Sequence, residues 1–263
     1  MYHLRMDLGL KGAVVLITGG SKGLGLAAAR AFVAEGGRVA IASRSHDNLQ
    51  KARAELGAVE TFAADLCQPR VAADMVDAVE RRLGPVDVLV NCAGAARRVG
   101  AEELTPEAWH AAMDAKYFSY IHVIDPLIKR MAARGRGAIV NVIGSGGKVA
   151  TPTHIGGGAA NAALMLATVG LANAYAARGV RVIGINPGPT KTERVKHGLV
   201  ADAKRDGISE DEALKRMVQR MPMKRMPEPE EIADIIVFAA CERARFLTGA
   251  ILSADAATNP TVV

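Results

Sequence analysis

The stretch Ala13 to Arg30, AVVLITGGSKGLGLAAAR, carries the clearest chemistry in the chain. Gly19, Ser21, Lys22, Gly23, Leu24 and Gly25 form a glycine-rich loop between a β-branched apolar run, Ala13 to Ile17, and an Ala-rich helix. Unpaired backbone N–H groups and the helix dipole make such a junction an anion site suited to a phosphate. Glycine serves there because a Cβ would hold the backbone away from the ligand. A second determinant follows the next strand, where a carboxylate would bind the adenosine ribose hydroxyls of a dinucleotide and repel a 2′-phosphate. The chain has Ser43 and Arg44 there instead, with Lys22 nearby. Both cations favour NADP(H) over NAD(H), the alternative being that Arg44 is an ordinary loop cation.

The elements that must position these groups alternate along the chain. Strands are expected at 13–17, 38–43, 59–63, 86–90, 138–143, 180–186 and 250–254, with helices between them. Thr105 and Pro106 read as the N-cap and first position of one long helix reaching Arg134. Alternation without hairpin signals means an α/β fold: a doubly wound, Rossmann-like parallel sheet of about seven strands, helices on both faces. Ligands of such sheets lie at the carboxyl ends of the strands. No linker interrupts the 263 residues, so one domain, 1–263, is expected. The net charge of +6 is dispersed, which argues against nucleic acid. No apolar run is read as a membrane span and the N-terminus has no apolar signal stretch. Cys67, Cys92 and Cys241 are scattered and without metal spacing, so no metal and a reducing cytoplasm are expected.

With these residues in place, nearly the whole chain resembles the short-chain dehydrogenase/reductase family. TGGSKGLG matches that family's cofactor loop, and Asp65-Leu66 stands where its members contact adenine. Asn91-Cys92-Ala93-Gly94 resembles the family's Asn-Asn-Ala-Gly, with Cys92 replacing the second Asn. Asn186 to Thr192, which includes Pro187 and Gly188, resembles the segment that holds the nicotinamide, Thr192 falling on its hydroxyl position. Asp255-Ala256-Ala257 stands where Asp-Gly-Gly is usual.

The resemblance also implies a catalytic Asn-Ser-Tyr-Lys tetrad, and the matching positions depart from it. Lys116 falls on the asparagine, Gly144 on the serine, Gly157 on the tyrosine and Asn161 on the lysine. None of Tyr2, Tyr117, Tyr120 and Tyr175 has a lysine four residues later. Two glycines in place of hydroxyl-bearing residues are expected to open space before the nicotinamide. The run Gly156-Gly157-Gly158 costs about 1 kcal/mol per glycine in a helix, so that helix is expected to start late or to be mobile in its first turn. Asn161 can still bond ribose hydroxyls, without charge.

Three residues lead as replacement acids, with Lys148, Thr151 and Thr153 of the Ser145 loop behind them. His154 titrates in a useful range, against a helix-capping or solvent-facing role. Lys116 reaches inward if its helix keeps the family register, where burial lowers its pKa, against pairing with a carboxylate or carbonyl. Ser145 lies one residue past the serine position. Helical 192–221 is the lid region of relatives, and its cations, Lys196, Lys204, Arg205, Lys215, Arg216 and Arg220, suit an anionic small-molecule substrate or simply a solvated face. The apolar helix 159–177 must be covered all round, and in relatives it packs between subunits, so a homodimer or homotetramer is expected. Three functions follow: an NADP(H)-dependent oxidoreductase of carbonyls and alcohols with a non-standard proton donor, an NADP(H)-binding sensor or partner subunit without turnover, or a lyase or isomerase.

Overall fold

The β-branched runs become strands buried on both faces, and the amphipathic stretches become the helices that cover them. A computed structural model gives the fold and describes residues 6–94 and 98–261, the side chains of His197, Ala201 and Lys204 lying outside that description. In chain order the principal elements are β1 (Val14–Thr18), α1 (Gly23–Ala34), β2 (Arg38–Ser43), α2 (His46–Leu56), β3 (Glu60–Ala63) and α3 (Pro69–Leu83). Next come β4 (Val88–Asn91), α4 (Pro106–Met113), α5 (Ser119–Arg134), β5 (Gly137–Val142), α6 (Ile155–Tyr175) and β6 (Val180–Pro187). The chain closes with α7 (Glu193–Asp206), α8 (Glu210–Arg220), α9 (Pro229–Ala240) and β7 (Ile251–Ala254).

The seven strands are parallel in the order β3-β2-β1-β4-β5-β6-β7, so the direction of winding reverses between β1 and β4. Strand alternation divides the core in two. Val15, Ile17, Val39 and Ile41 meet Phe32 of α1 and Ile236 and Val237 of α9 on one face. Leu16, Ala40, Leu89 and Ile139 meet Val76 of α3 and Leu127 and Ile128 of α5 on the other. A large apolar side chain buried in this way contributes about 1.5–3 kcal/mol. The stretch 193–220 is two helices, α7 and α8, divided at Gly207, with a small core of Leu199, Ala203 and Ala213.

Two expectations about helices are corrected. The helix from Pro106 does not run evenly to Arg134: a π-helical turn, Asp114–Phe118, separates α4 from α5 and carries Lys116. Thr105 does cap it, accepting from the Ala108 N–H. The second correction is that α6 begins at Ile155, with all three glycines helical. Its first turn is packed too closely for larger residues: a Cβ on Gly158 would stand 2.8 Å from the Gly146 carbonyl oxygen. Close packing outweighs the weak helix propensity of glycine. By length and composition, 155–178 is apolar enough to cross a bilayer, contrary to the reading that no such run exists. Its buried side chains, Leu164, Thr168 and Ala172 among them, pack against the sheet and assign it to the core.

Ala256 and Ala257 adopt φ of 52° and 56°, the left-handed region where the resemblance expects glycines. Relief of roughly 1–2 kcal/mol of strain per residue exceeds the added chain entropy of glycine, about 0.4–1 kcal/mol. Ala256→Gly and Ala257→Gly are each expected to stabilise the protein by about 0.5–1 kcal/mol, read from urea unfolding midpoints.

Candidate functional site

The glycine loop sits at the carboxyl end of β1, beside the switch point, and its backbone is confined by its neighbours. A Cβ on Gly19 would stand 2.8 Å from the Ala93 backbone, and one on Gly25 would stand 2.3 Å from the Gly19 carbonyl oxygen. These contacts leave a bare peptide cradle opening toward the N-terminus of α1, which fits a pyrophosphate. Thr18, Asn91 and Asn141 stand in register on β1, β4 and β5 and form a buried polar ladder. The Thr18 hydroxyl donates to Asn91 Oδ1 at 3.1 Å, Asn91 Nδ2 donates to Asn141 Oδ1 at 3.0 Å, and Asn141 Nδ2 donates to Thr168 Oγ1 at 3.0 Å. The Cys92 and Ala93 N–H groups donate back to Thr18 Oγ1, which fixes the loop through Gly94 against the glycine loop. Burial pushes the Cys92 thiol up to about 12, so it is not a nucleophile.

The fold also positions the other residues expected to bind a cofactor. Arg44 follows β2, and Asp65 closes its own turn by accepting from the Cys67 N–H at 3.2 Å, with Leu66 buried next to it. Thr192 precedes α7, and a Cβ on Gly23 would stand 3.4 Å from its methyl group. Pro187 ends β6, and the Gly188 N–H donates to the Ala254 carbonyl. Lys22 pairs at 3.2 Å with Glu193, so its charge is directed across the mouth of the cleft to α7. Asn161 is buried, its Nδ2 3.4 Å from where a Cβ on Gly144 would stand, and it makes no side-chain hydrogen bond among the described residues.

The chemistry-bearing end of the cleft departs from the sequence reading. Space was expected at Gly157, and the His154 imidazole fills it. A Cβ on Gly157 would stand 2.1 Å from His154 Cε1 and 2.5 Å from Nε2. The ring folds over the first turn of α6 and its far edge approaches Gly146, whose Cβ position is 3.2 Å from Cδ2. His154 precedes α6 but its side chain does not cap the helix. Nδ1 is buried without a hydrogen-bond partner among the described residues. Burial, then Arg194, Arg98 and Lys116, hold its pKa below the usual imidazole value. Gly144 has φ 125°, a backbone that a serine would adopt only under strain, and its N–H donates to Asn186 Oδ1. Ser145 is half-buried in the short turn that follows, its carbonyl accepting from the Lys148 N–H.

Lys116 does reach inward and is only 4% exposed. Its Nζ donates to the Tyr120 hydroxyl at 2.7 Å and to the Val142 carbonyl at 2.9 Å, and no carboxylate among the described residues meets it. Burial, aided by Arg194, lowers its pKa to about 7. The lysine stands four residues before the tyrosine, the reverse of the family's order, so the pair does not follow the family spacing. Arg98 and Arg194 were also missed. Arg98 lies in a stretch without acidic residues between Asn91 and Gly100, which alone gives no placement, and Arg194 carries no signal of its own. A cleft of about 920 Å³, lined by Lys11, Asp87, Arg136 and Phe246 among others, opens at the opposite ends of the strands, away from all these groups.

Strand order, glycine cradle and polar ladder together agree with the comparisons. Residues 13–200 match the family model for short chain dehydrogenase. The chain belongs to the short-chain dehydrogenase family. An acetoacetyl-CoA reductase of Rhizobium meliloti is 33% identical over 242 residues, covering 92% of this chain and 96% of the relative. A gluconate 5-dehydrogenase of Gluconobacter oxydans is 30% identical, with 94% of each chain covered. Among solved structures, the L-sorbose reductase of Gluconobacter frateurii, complexed with NADPH and L-sorbose, superposes with a TM-score of 0.90 at 29% identity over 98% of this chain and 100% of that one. An actinorhodin polyketide ketoreductase with NADPH gives 0.92 at 27% identity, over 95% and 98%. The short-chain dehydrogenase fold is therefore a Rossmann-like parallel sheet here, and these relatives are oxidoreductases.

Proposed function

We propose that this protein is an NADP(H)-dependent oxidoreductase that interconverts a carbonyl and an alcohol, with His154 in the role of proton donor. The observation that carries the reading is the imidazole standing in the side-chain volume of Gly157, the position matched to the family tyrosine. Bound NADPH would supply the hydride. Gly19, Gly23 and Gly25 would hold its pyrophosphate, Arg44 its 2′-phosphate and Asn161 its ribose, while Thr192 would bound the nicotinamide. His154 Nε2 delivers the proton to the carbonyl oxygen as the alcohol forms, and takes it back in the reverse direction. The two NADPH complexes among similar structures support the cofactor choice.

Titration with NADPH and NADH, by calorimetry and by fluorescence of the reduced ring, tests this reading. NADPH is expected to bind the tighter, and Arg44→Ala to weaken NADPH about tenfold while leaving NADH within twofold. Equal affinities unchanged by the substitution would refute the NADP(H) assignment. A competing reading, a nucleotide-binding subunit without turnover, rests on the missing charge at Asn161; it gains if NADPH binds and no carbonyl is reduced. The outer face of α6 leaves Leu166 77% and Val169 43% exposed, which supports a homodimer or homotetramer. Sedimentation at micromolar concentration is expected to show no monomer.

A further inference from the structure

Two guanidinium groups converge on the His154 end of the cleft from different elements. Arg98 comes from the segment after β4, where the Val99 N–H donates to the Thr153 carbonyl at 3.1 Å, next to His154. Arg194 comes from the first turn of α7, a helix in which a Cβ on Gly198 would stand 3.6 Å from the Arg98 guanidinium carbon. The charge of each acts on His154. Neither is well matched by the protein. Arg194 has one long hydrogen bond, 3.4 Å to the Gly94 carbonyl, and no ion pair among the described residues. Arg98 reaches Asp202 only at 3.5 Å, and Arg205 holds the same carboxylate at 3.2 Å. Lys116 adds a third cation that no carboxylate among the described residues meets. Like charges gathered in this way repel unless an anion lies between them, and guanidinium forks fit carboxylate oxygens.

Resting on the oxidoreductase reading above, we propose that Arg98 and Arg194 form a carboxylate subsite beside His154, so that the substrate is an oxo acid or the matching hydroxy acid. The carboxylate bridges the two arginines and directs the neighbouring carbonyl toward the His154 imidazole. Its charge also relieves the field of Arg98, Arg194 and Lys116 on that ring. The imidazole therefore carries its proton to the greatest extent when the correct substrate is bound.

The test is calorimetry of the whole protein, both free and loaded with NADP⁺, using acetoacetate and its uncharged methyl ester as probes. Acetoacetate is expected to bind at least tenfold more tightly than the ester. Arg194→Met and Arg98→Met should each weaken acetoacetate about tenfold and leave the ester unchanged, with Lys51→Met on α2 as a control for net charge. Arg194→Lys should recover part of the loss. No preference for the acid, or an equal loss in Lys51→Met, overturns the subsite. If Arg194→Met instead weakens NADP⁺ itself, the arginine serves the cofactor phosphates and the subsite is likewise overturned. Failure of NADP⁺ to bind would count against the oxidoreductase reading alone, because the acid-against-ester comparison on the free protein is independent of it.

Discussion

Replacing His154 with alanine is expected to lower kcat for carbonyl reduction by about 10²–10⁴, the range that a positioned general acid supplies. NADPH affinity should stay within twofold, because the ring stands over Gly157 and Gly146 and not in the glycine cradle. Alanine also empties the volume over Gly157, so His154→Phe is the companion variant: it fills the space and carries no proton. Equal losses in the two variants assign the effect to proton transfer, whereas recovery in His154→Phe would assign it to packing. The pH profile gives a second readout. Burial and the surrounding cations hold the imidazole below its usual value of 6.5, so the acid form declines as pH rises through that lowered value. Reduction should therefore be fastest on the acid side and fall as pH increases, and alcohol oxidation should show the opposite limb. Acetoacetyl-CoA, named for a relative, is a first substrate to try. A His154→Ala enzyme within threefold of the parent, with the same profile, would remove the histidine from the mechanism.

The parts of this site that the sequence made legible are those governed by local rules. The run AVVLITGG is a strand entering a glycine turn whatever surrounds it, and the structure starts β1 within one residue of the expected position. Thr105-Pro106 is a cap and first turn by chemistry that needs no tertiary partner. The His154 ring folding back over Gly157 depends on a side-chain torsion and on the absence of a Cβ three residues later, so the glycine was readable and its occupant was not. The π turn at Lys116 has no composition signal of its own. It follows from tertiary packing, with the Gly94 backbone so near the Ala115 carbonyl oxygen that a Cβ would stand 1.8 Å away. Arg98 and Arg194 are 96 residues apart, and only the fold brings them to one ring.

The same packing gives the second large effect. Lys116→Met is expected to make the protein more stable near pH 6, with the gain shrinking as pH rises. The lysine pKa falls from 10.5 to about 7 on folding. Below pH 7 the ammonium is charged in both the folded and unfolded chains, and its burial penalty is present in full. Between 7 and 10.5 the folded chain holds fewer protons than the unfolded one, so stability rises with pH and the penalty fades. A difference of about 3.5 units corresponds to an upper figure of roughly 5 kcal/mol. About half of that should be observed, because methionine forgoes the bonds to Tyr120 and Val142 that offset part of the desolvation. The Tyr120 hydroxyl keeps its own 2.7 Å bond to the Val142 carbonyl, so no acceptor is stranded. Urea unfolding of both proteins at pH 6 and pH 9 reads the difference directly; a variant less stable than the parent at pH 6 would mean that the ammonium is solvated or paired in the native state. A stabilised variant would instead identify Lys116 as a residue kept at a cost to folding, as expected of a cation that serves the site beside His154 and Arg194.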